Sequence, residues 1–330
     1  MRTRWSVEIV GTGAQVPARV VTNDEFTKHL DTSDEWIVQR TGIRERRIAG
    51  PGESTLTFSA AASRQALAEA KLRPDEIDLI IQATVTPDHV LPSTACELQA
   101  ELGCGWIPAF DIEAACSGFV YAMVNAAQFI HSGMAKNVLI LGSESLTRIT
   151  DMEDRATAIL FGDGAGAAIL CPSKDPNKGI LAARLGADGG RARAVWVPGG
   201  GSAEPASNKT VNERLHYMKM KGREIYKFAV TMMHSLVEET AQDAGISPHD
   251  LALVIPHQSN LRIIESAVDR LGLPMDRVAV NIDRYGNTSA ASIGMALHEA
   301  RETQRIKSGD LVMLVGFGAG LTWGSALLRI

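Results

Sequence analysis

The strongest constraint on this chain is an internal echo. The segment "LAEAKLRPDEIDLIIQAT", residues 67–84, returns as "ETAQDAGISPHDLALVIPHQ", residues 239–258. Each reads as a helix end, a proline-containing turn and a short apolar strand, and Pro74 recurs as Pro248. Two further matches keep nearly the same offset: "NVLILGSE" (137–144) with "DLVMLVGFG" (310–318), and "VEIVGTGAQ" (7–15) with "GILAARLGADGG" (179–190). Matched segments in one order imply a duplicated chain. The polar "CPSKDPNKG", residues 171–179, is the natural seam. It divides the protein into halves 1–174 and 175–330.

Within each half, apolar strands alternate with amphipathic patterns such as "STACELQAELG" and "NLRIIESAVDRLG". That alternation predicts an α/β fold with a mainly parallel sheet under covering helices. Two stretches interrupt it. In the first, residues 17–54, Thr32 and Glu35 have capping-box spacing and Gly42 can end the helix. The second, "GGRARAVWVPGGGSAEPASNKTVNE", is a glycine-rich segment long enough to cover a site.

Composition narrows the classes. Hydrophobic residues make up 45% and charged residues 22%, as in an ordinary globular protein. No uninterrupted apolar run approaches the roughly 18 residues of a membrane span, and "MRTRWSVEIVGTG" lacks the apolar core of a signal peptide. A cytoplasmic location is the expectation. A net charge of −5 argues against nucleic-acid binding. Four cysteines without a CxxC pair, and no HExxH, predict neither a disulfide framework nor a metal site. "GTGAQVP" and "GDGAGAA" are not dinucleotide fingerprints: the first lacks a third glycine and the second leads into a strand.

Candidate chemistry lies where the repeat aligns unlike residues. "FDIEAACSG" against "VNIDRYGNTSA" sets Cys116 beside Gly286 or Asn287, and the same register sets Ala83 opposite His257. Cys116, His257 and Asn287 thus fall at equivalent strand ends, where α/β sheets bind ligands. A cysteine in the first turn of a helix has its thiolate favoured by the dipole, and a nearby histidine favours it further. Taken singly, the cysteine is more often buried filler, the histidine a satisfied core residue and "GNTSA" a turn; their shared place in the duplication reverses that reading.

With "DEWIVQRTGIRERR", "AACSGF", "FGDGAGAAIL", "PHQSNLRI", "GNTSAAS" and "GFGAGLTWGSALLRI" in this order, the whole chain resembles the β-ketoacyl-acyl carrier protein synthase III family. The resemblance implies the thiolase fold, whose duplicated halves form five layers, α-β-α-β-α. It implies that Cys116 takes an acyl group from acyl-coenzyme A. His257 and Asn287 then promote decarboxylative condensation with malonyl-acyl carrier protein to a 3-oxoacyl product that initiates fatty acid synthesis. Two N–H donors aimed at the malonyl thioester oxygen suit that chemistry. Backbone N–H groups of Cys116 and Ala319 would hold the oxyanion, with Ala319 standing where glycine is usual.

The resemblance also places coenzyme A against Trp36, Arg40, Thr41, Arg155 and Arg223, although Arg223 stands where a smaller polar residue is expected. It lines the acyl pocket with Leu91, Leu146, Phe161 and Phe317, Leu91 reaching across a homodimer interface. "KMKGREIYK" and Arg262, with Lys227, form a basic cluster for an acidic carrier protein. No cofactor is expected, acyl-coenzyme A being a substrate. The order Cys, His, Asn is also that of a cysteine hydrolase, but "CGSC[WY]" is absent and the duplication explains the positions better. A second catalytic cysteine would mark a thiolase and a second histidine an elongating synthase. A type III polyketide synthase, or another condensing enzyme of a specialised pathway, shares the triad.

Overall fold

The computed structural model describes residues 6–330. The echo proves to be architectural. The first sheet contains β1 (Val7–Gln15), β2 (Leu79–Ala83), β3 (Ala109–Ile112), β4 (Val138–Ser145) and β5 (Asp163–Pro172), in the order β1-β5-β4-β2-β3. The second contains β6 (Gly179–Ala187), β7 (Leu253–Pro256), β8 (Leu311–Gly318) and β9 (Thr322–Arg329), in the order β6-β9-β8-β7. The matched segments occupy equivalent strands, and both proline turns are short 3-10 helices, Pro74–Glu76 and Pro248–Asp250. In the place of β3 the second half keeps only a bridge from Val254 to Val278.

The sheets are mixed rather than mainly parallel. β2 runs parallel to β3 and β4, and β7 to β8, but β4–β5, β1–β5, β8–β9 and β9–β6 are antiparallel. Antiparallel neighbours need no crossover helix. The alternation of strand and helix therefore reported only the parallel strands of each half, β2, β3 and β4 in the first and β7 and β8 in the second.

Strand side chains alternate between two helix layers, which is why β4 is buried along its whole length. The long helices are α1 (Thr55–Ala70), α2 (Thr94–Leu102), α3 (Gly118–His131), α4 (Gly222–Ala244), α5 (Leu261–Leu271) and α6 (Ala291–Glu302). Ile80, Leu139 and Leu141 face α1 and α2 through Phe58, Ala62 and Leu98. On the other face, Ile81 and Ile140 join Phe119 and Met123 of α3, Leu297 of α6, and Ile255 and Leu314 of the second sheet. Val254, Met313 and Val315 face outward onto Met233 of α4 and Ile264 of α5. Helix, sheet, helix pair, sheet and helix make the five expected layers.

Gly42 ends the helix Asp34–Thr41 with φ +79°, as expected, but the cap differs. Ser33, not Thr32, caps it, accepting from the Trp36 N–H at 3.1 Å. Two acidic residues then fill the first turn, favoured by the helix dipole. The four cysteines are unpaired. Among the described residues no helix is long and apolar enough to cross a membrane.

Candidate active site

Cys116 sits in the short turn Ala115–Ser117, between β3 and α3. The strand-to-helix change is abrupt: Ala115 has φ +43°. A methyl is the least that a left-handed position can carry apart from hydrogen. Across the turn runs the end of β8. A Cβ on Gly318 would lie 2.7 Å from the Cys116 nitrogen and 2.9 Å from its Cβ, so only glycine fits there. Ser117 and Thr322 tie the two segments together, Ser117 Oγ donating to Thr322 Oγ1 at 3.0 Å and Thr322 Oγ1 to the Ala114 carbonyl at 2.9 Å.

His257 follows β7 and is held by its N–H, which donates to the Val315 carbonyl at 2.7 Å. Its ring stands edge-on to Phe317, centroids 5.7 Å apart. Nδ1 lies 2.8 Å from the Ser292 hydroxyl, which is itself 2.8 Å from the Ser289 carbonyl. When the single hydroxyl proton is given to Nδ1, the ring proton resides on Nε2. Asn287 is oriented by similar means. Its Oδ1 accepts from the Ser289 N–H at 2.9 Å, which fixes the amide and leaves Nδ2 as a donor.

All three side chains line one cavity of about 630 Å³, together with Leu146, Phe161, Phe317 and Ala319. The cavity is mainly apolar, and sequence reasoning missed Val85, Val195, Met218 and Met220 of its lining. Val195 and Met220 come from the glycine-rich segment and its partner strand, Val195–Trp196 against Lys219–Met220, so that segment does cover the site.

Burial decides the charge states. Cys116 is half-buried on the cavity wall, and desolvation by the protein around it pushes the thiol up to about 12, against the help of the Ser289 hydroxyl. The expectation of a thiolate favoured by dipole and histidine is therefore corrected: desolvation of the anion is the larger effect. Burial likewise pushes His257 down to about 3, so its imidazole is neutral. Glu144, at the end of β4 and fully buried, was missed altogether. Desolvation pushes its carboxyl up to about 7, although Thr86, Val85 and Thr84 donate to it and the Ser289 hydroxyl favours its anion.

Trp36, Arg40 and Arg155 come together on the surface. The guanidinium carbons of Arg40 and Arg155 lie 5.6 Å and 4.9 Å from the centre of the Trp36 ring. Arg155 is also held by the Asp31 carbonyl at 2.7 Å. Thr41 does not join them. It is buried, its hydroxyl donating to the Ile37 carbonyl at 2.7 Å and accepting from the Ile43 N–H at 3.0 Å, so it finishes a helix instead. Arg223 is exposed in the first turn of α4, beside Gly222 and Ile225 of the cavity wall. Lys227 and Arg262 are exposed on α4 and α5, helices joined by the Tyr226 hydroxyl 3.0 Å from Ser266 Oγ. Lys219 of the basic cluster instead pairs with Asp151 at 3.8 Å. Leu91 is absent from this chain's own cavity wall and is 85% exposed, on a loop beside the still more exposed Val90.

Comparison with known proteins agrees with this geometry. The family description 3-oxoacyl-[acyl-carrier-protein] synthase III matches residues 110–189, and its C-terminal counterpart matches residues 241–330. The β-ketoacyl-[acyl-carrier-protein] synthase III of Roseiflexus castenholzii is 52% identical over 321 residues, 97% of each chain. The chain belongs to the β-ketoacyl-acyl carrier protein synthase III family. The Xanthomonas campestris member is 50% identical over the full length of both chains. The solved 3-oxoacyl-[acyl-carrier-protein] synthase III of Aquifex aeolicus superposes with a TM-score of 0.91 at 48% identity, covering 98% of this chain and all of that one. These synthases are acyltransferases that catalyse the initiating condensation of fatty acid synthesis, and that is the class of this enzyme.

Proposed function

We propose that Cys116 is the nucleophile of a two-step condensation. In the first step its sulfur takes the acyl group of an acyl-coenzyme A. The N–H groups of Cys116 and Ala319 hold the oxyanion of the tetrahedral intermediate. In the second step malonyl-acyl carrier protein enters, and loss of carbon dioxide leaves an enolate on the thioester oxygen. His257 Nε2–H and Asn287 Nδ2–H donate to that oxygen. A histidine held neutral and an amide that cannot ionise are suited to this, because neither gives its proton away. The carbanion attacks the acyl carbon and frees Cys116. The observation that carries this reading is that the three residues, from both halves of a duplicated chain, line one cavity of about 630 Å³.

The 1–174 and 175–330 halves are the two units of this machine, each contributing part of the triad. Trp36, Arg40 and Arg155 form the coenzyme A site, adenine entering between indole and guanidinium and lifting Arg155 from the ring. Exposed Arg223 borders the pantetheine path. Arg262 and Lys227 receive the acidic carrier protein. Val90, Leu91 and Trp106 are large apolar side chains left exposed and fit for burial against a second copy, which would give a homodimer in the cytoplasm.

Mass spectrometry after exposure to a panel of acyl-coenzyme A thioesters tests the assignment. An acyl adduct is expected on Cys116 and absent from Cys116→Ala, which should still decarboxylate a malonyl thioester slowly. His257→Ala and Asn287→Ala should acylate but lose decarboxylation. A Cys116→Ala enzyme that condenses at the wild-type rate would remove the nucleophile assignment.

A further inference from the structure

Resting Cys116 is a thiol, so acyl transfer must dispose of its proton, and His257 is a weak base in this site. The strongest base nearby is Glu144. Its side chain leaves β4 on the face turned toward the central helices, the same face as Gly142, whose Cβ would meet the Ala290 carbonyl at 2.0 Å. One oxygen, Oε2, accepts from Thr86 Oγ1 at 2.6 Å, the Val85 N–H at 3.1 Å and Thr84 Oγ1 at 3.3 Å. The other, Oε1, is buried without a hydrogen-bond partner. Three donors on one oxygen and none on its twin fix the carboxyl in place while leaving Oε1 able to take a proton. The Ser289 hydroxyl favours the charged forms of both Glu144 and Cys116, and Ser289 shares the cavity wall with Cys116, which makes it the hydroxyl within reach of both groups. Ser289 is itself held, its N–H donating to Asn287 Oδ1 at 2.9 Å.

We propose that Glu144 takes up the Cys116 thiol proton through the Ser289 hydroxyl during acyl transfer, stores it, and returns it when condensation frees the sulfur. This rests on the two-step reading above. In the first step the Sγ–H bond breaks and the Sγ–acyl bond forms. The proton passes from sulfur to Ser289 Oγ, and the Ser289 proton passes to Glu144. The bond from the acyl carbon to the coenzyme sulfur breaks with its electron pair on that sulfur, and the departing thiolate is protonated in bulk water. In the second step the electron pair left by carbon dioxide attacks the acyl carbon. The Sγ–acyl bond breaks with its pair on Cys116, and the relay runs backward to restore the thiol and the Glu144 carboxylate. Glu144 and Cys116 thus share one proton, and two adjacent anions are never required. The charge on Glu144 disfavours a thiolate beside it, as such sharing demands. Around the carboxyl stand the hydroxyls of Thr84, Thr86 and Ser289 and the Val85 N–H, and the titratable group coupled to it is the Cys116 thiol.

The test follows the rate of Cys116 acylation by an acyl-coenzyme A, read by rapid-quench mass spectrometry from about pH 5 to 9. Wild-type acylation should rise through a step near 7, where Glu144 ionises. Glu144→Gln should acylate on the order of 10²-fold more slowly and lose the step. Glu144→Asp, which keeps a carboxylate, should restore it in part. Ser289→Ala, which leaves the three bonds to Oε2 untouched, should also lose the step, and it carries the test if Glu144→Gln fails to fold. A Glu144→Gln enzyme that acylates as fast as wild type, or faster, overturns the relay. That is the behaviour of a carboxylate that only repels a thiolate. A wild type that forms no adduct on Cys116 would instead overturn the two-step reading beneath it.

Discussion

At the scale of single residues, this site is governed by burial more than by charge. Cys116, His257 and Glu144 are each driven toward their neutral forms by desolvation. For Glu144 this has a consequence for stability whose sign can be worked out. Its carboxyl titrates near 4.5 when unfolded and about 7 when folded. Between those values the native protein holds more protons than the unfolded chain, so stability falls as pH rises through that window and stays reduced above it. Glu144→Gln removes the penalty of burying the anion. Its thermal midpoint should exceed that of wild type at about pH 8, and the difference should close as the pH falls toward 4.5. Parallel midpoint curves for the two proteins across that range would refute this. Cys116, His257 and Asn287 were legible in the sequence because the duplication put them in register. Glu144 lay within the quoted "NVLILGSE", and a carboxylate closing an apolar strand was the available signal. Which face it occupies, and that Ser289 stands opposite, depends on packing between the halves, which periodicity does not report.

At the scale of elements, the decisive contact is between the end of β8 and the Cys116 turn. Gly318→Ala would drive a methyl against the Cys116 backbone. Overpacking of this kind typically costs about 1–3 kcal/mol, and here it would also displace the Cys116 sulfur and backbone N–H. A lowered thermal midpoint together with acylation reduced at least tenfold is expected; an unchanged acylation rate would show the contact to be slack. Helices and strands were largely readable, since their apolar spacing is a local property. Sheet direction was not: nothing in "DGAGAAIL" states that β5 lies antiparallel to β4. The cap at Ser33 instead of Thr32 is a shift of one residue between two competent hydroxyls. The role of Thr41 went unread because a buried threonine ending a helix and a ligand-binding threonine look alike in sequence.

At the scale of the whole molecule, function depends on surfaces that meet other molecules. Arg262→Glu should weaken use of malonyl-acyl carrier protein much more than acylation by coenzyme A thioesters, because an exposed charge acts on encounter. The difference should shrink as salt rises, and equal losses with both substrates at every salt concentration would remove the docking role. Leu91 bears on specificity in a similar way. This chain's cavity is walled by Leu146, Phe161 and Met218 without it, while Leu91 stands 85% exposed on the Val85–Ser93 loop. A large apolar side chain so placed is fit for burial against a second copy, and we propose that it would there form the floor of that copy's acyl pocket. A phenylalanine there would fill more of the pocket, so leucine should leave room for primers longer than acetyl. One methylene in an apolar pocket is worth about 1–3 kcal/mol, enough to change preference tenfold or more. Leu91→Phe should therefore shift relative kcat/KM values toward acetyl-coenzyme A while leaving the Cys116 adduct intact. A wild type strictly specific for acetyl, or a Leu91→Phe enzyme with an unaltered preference series, would place the floor of the pocket elsewhere.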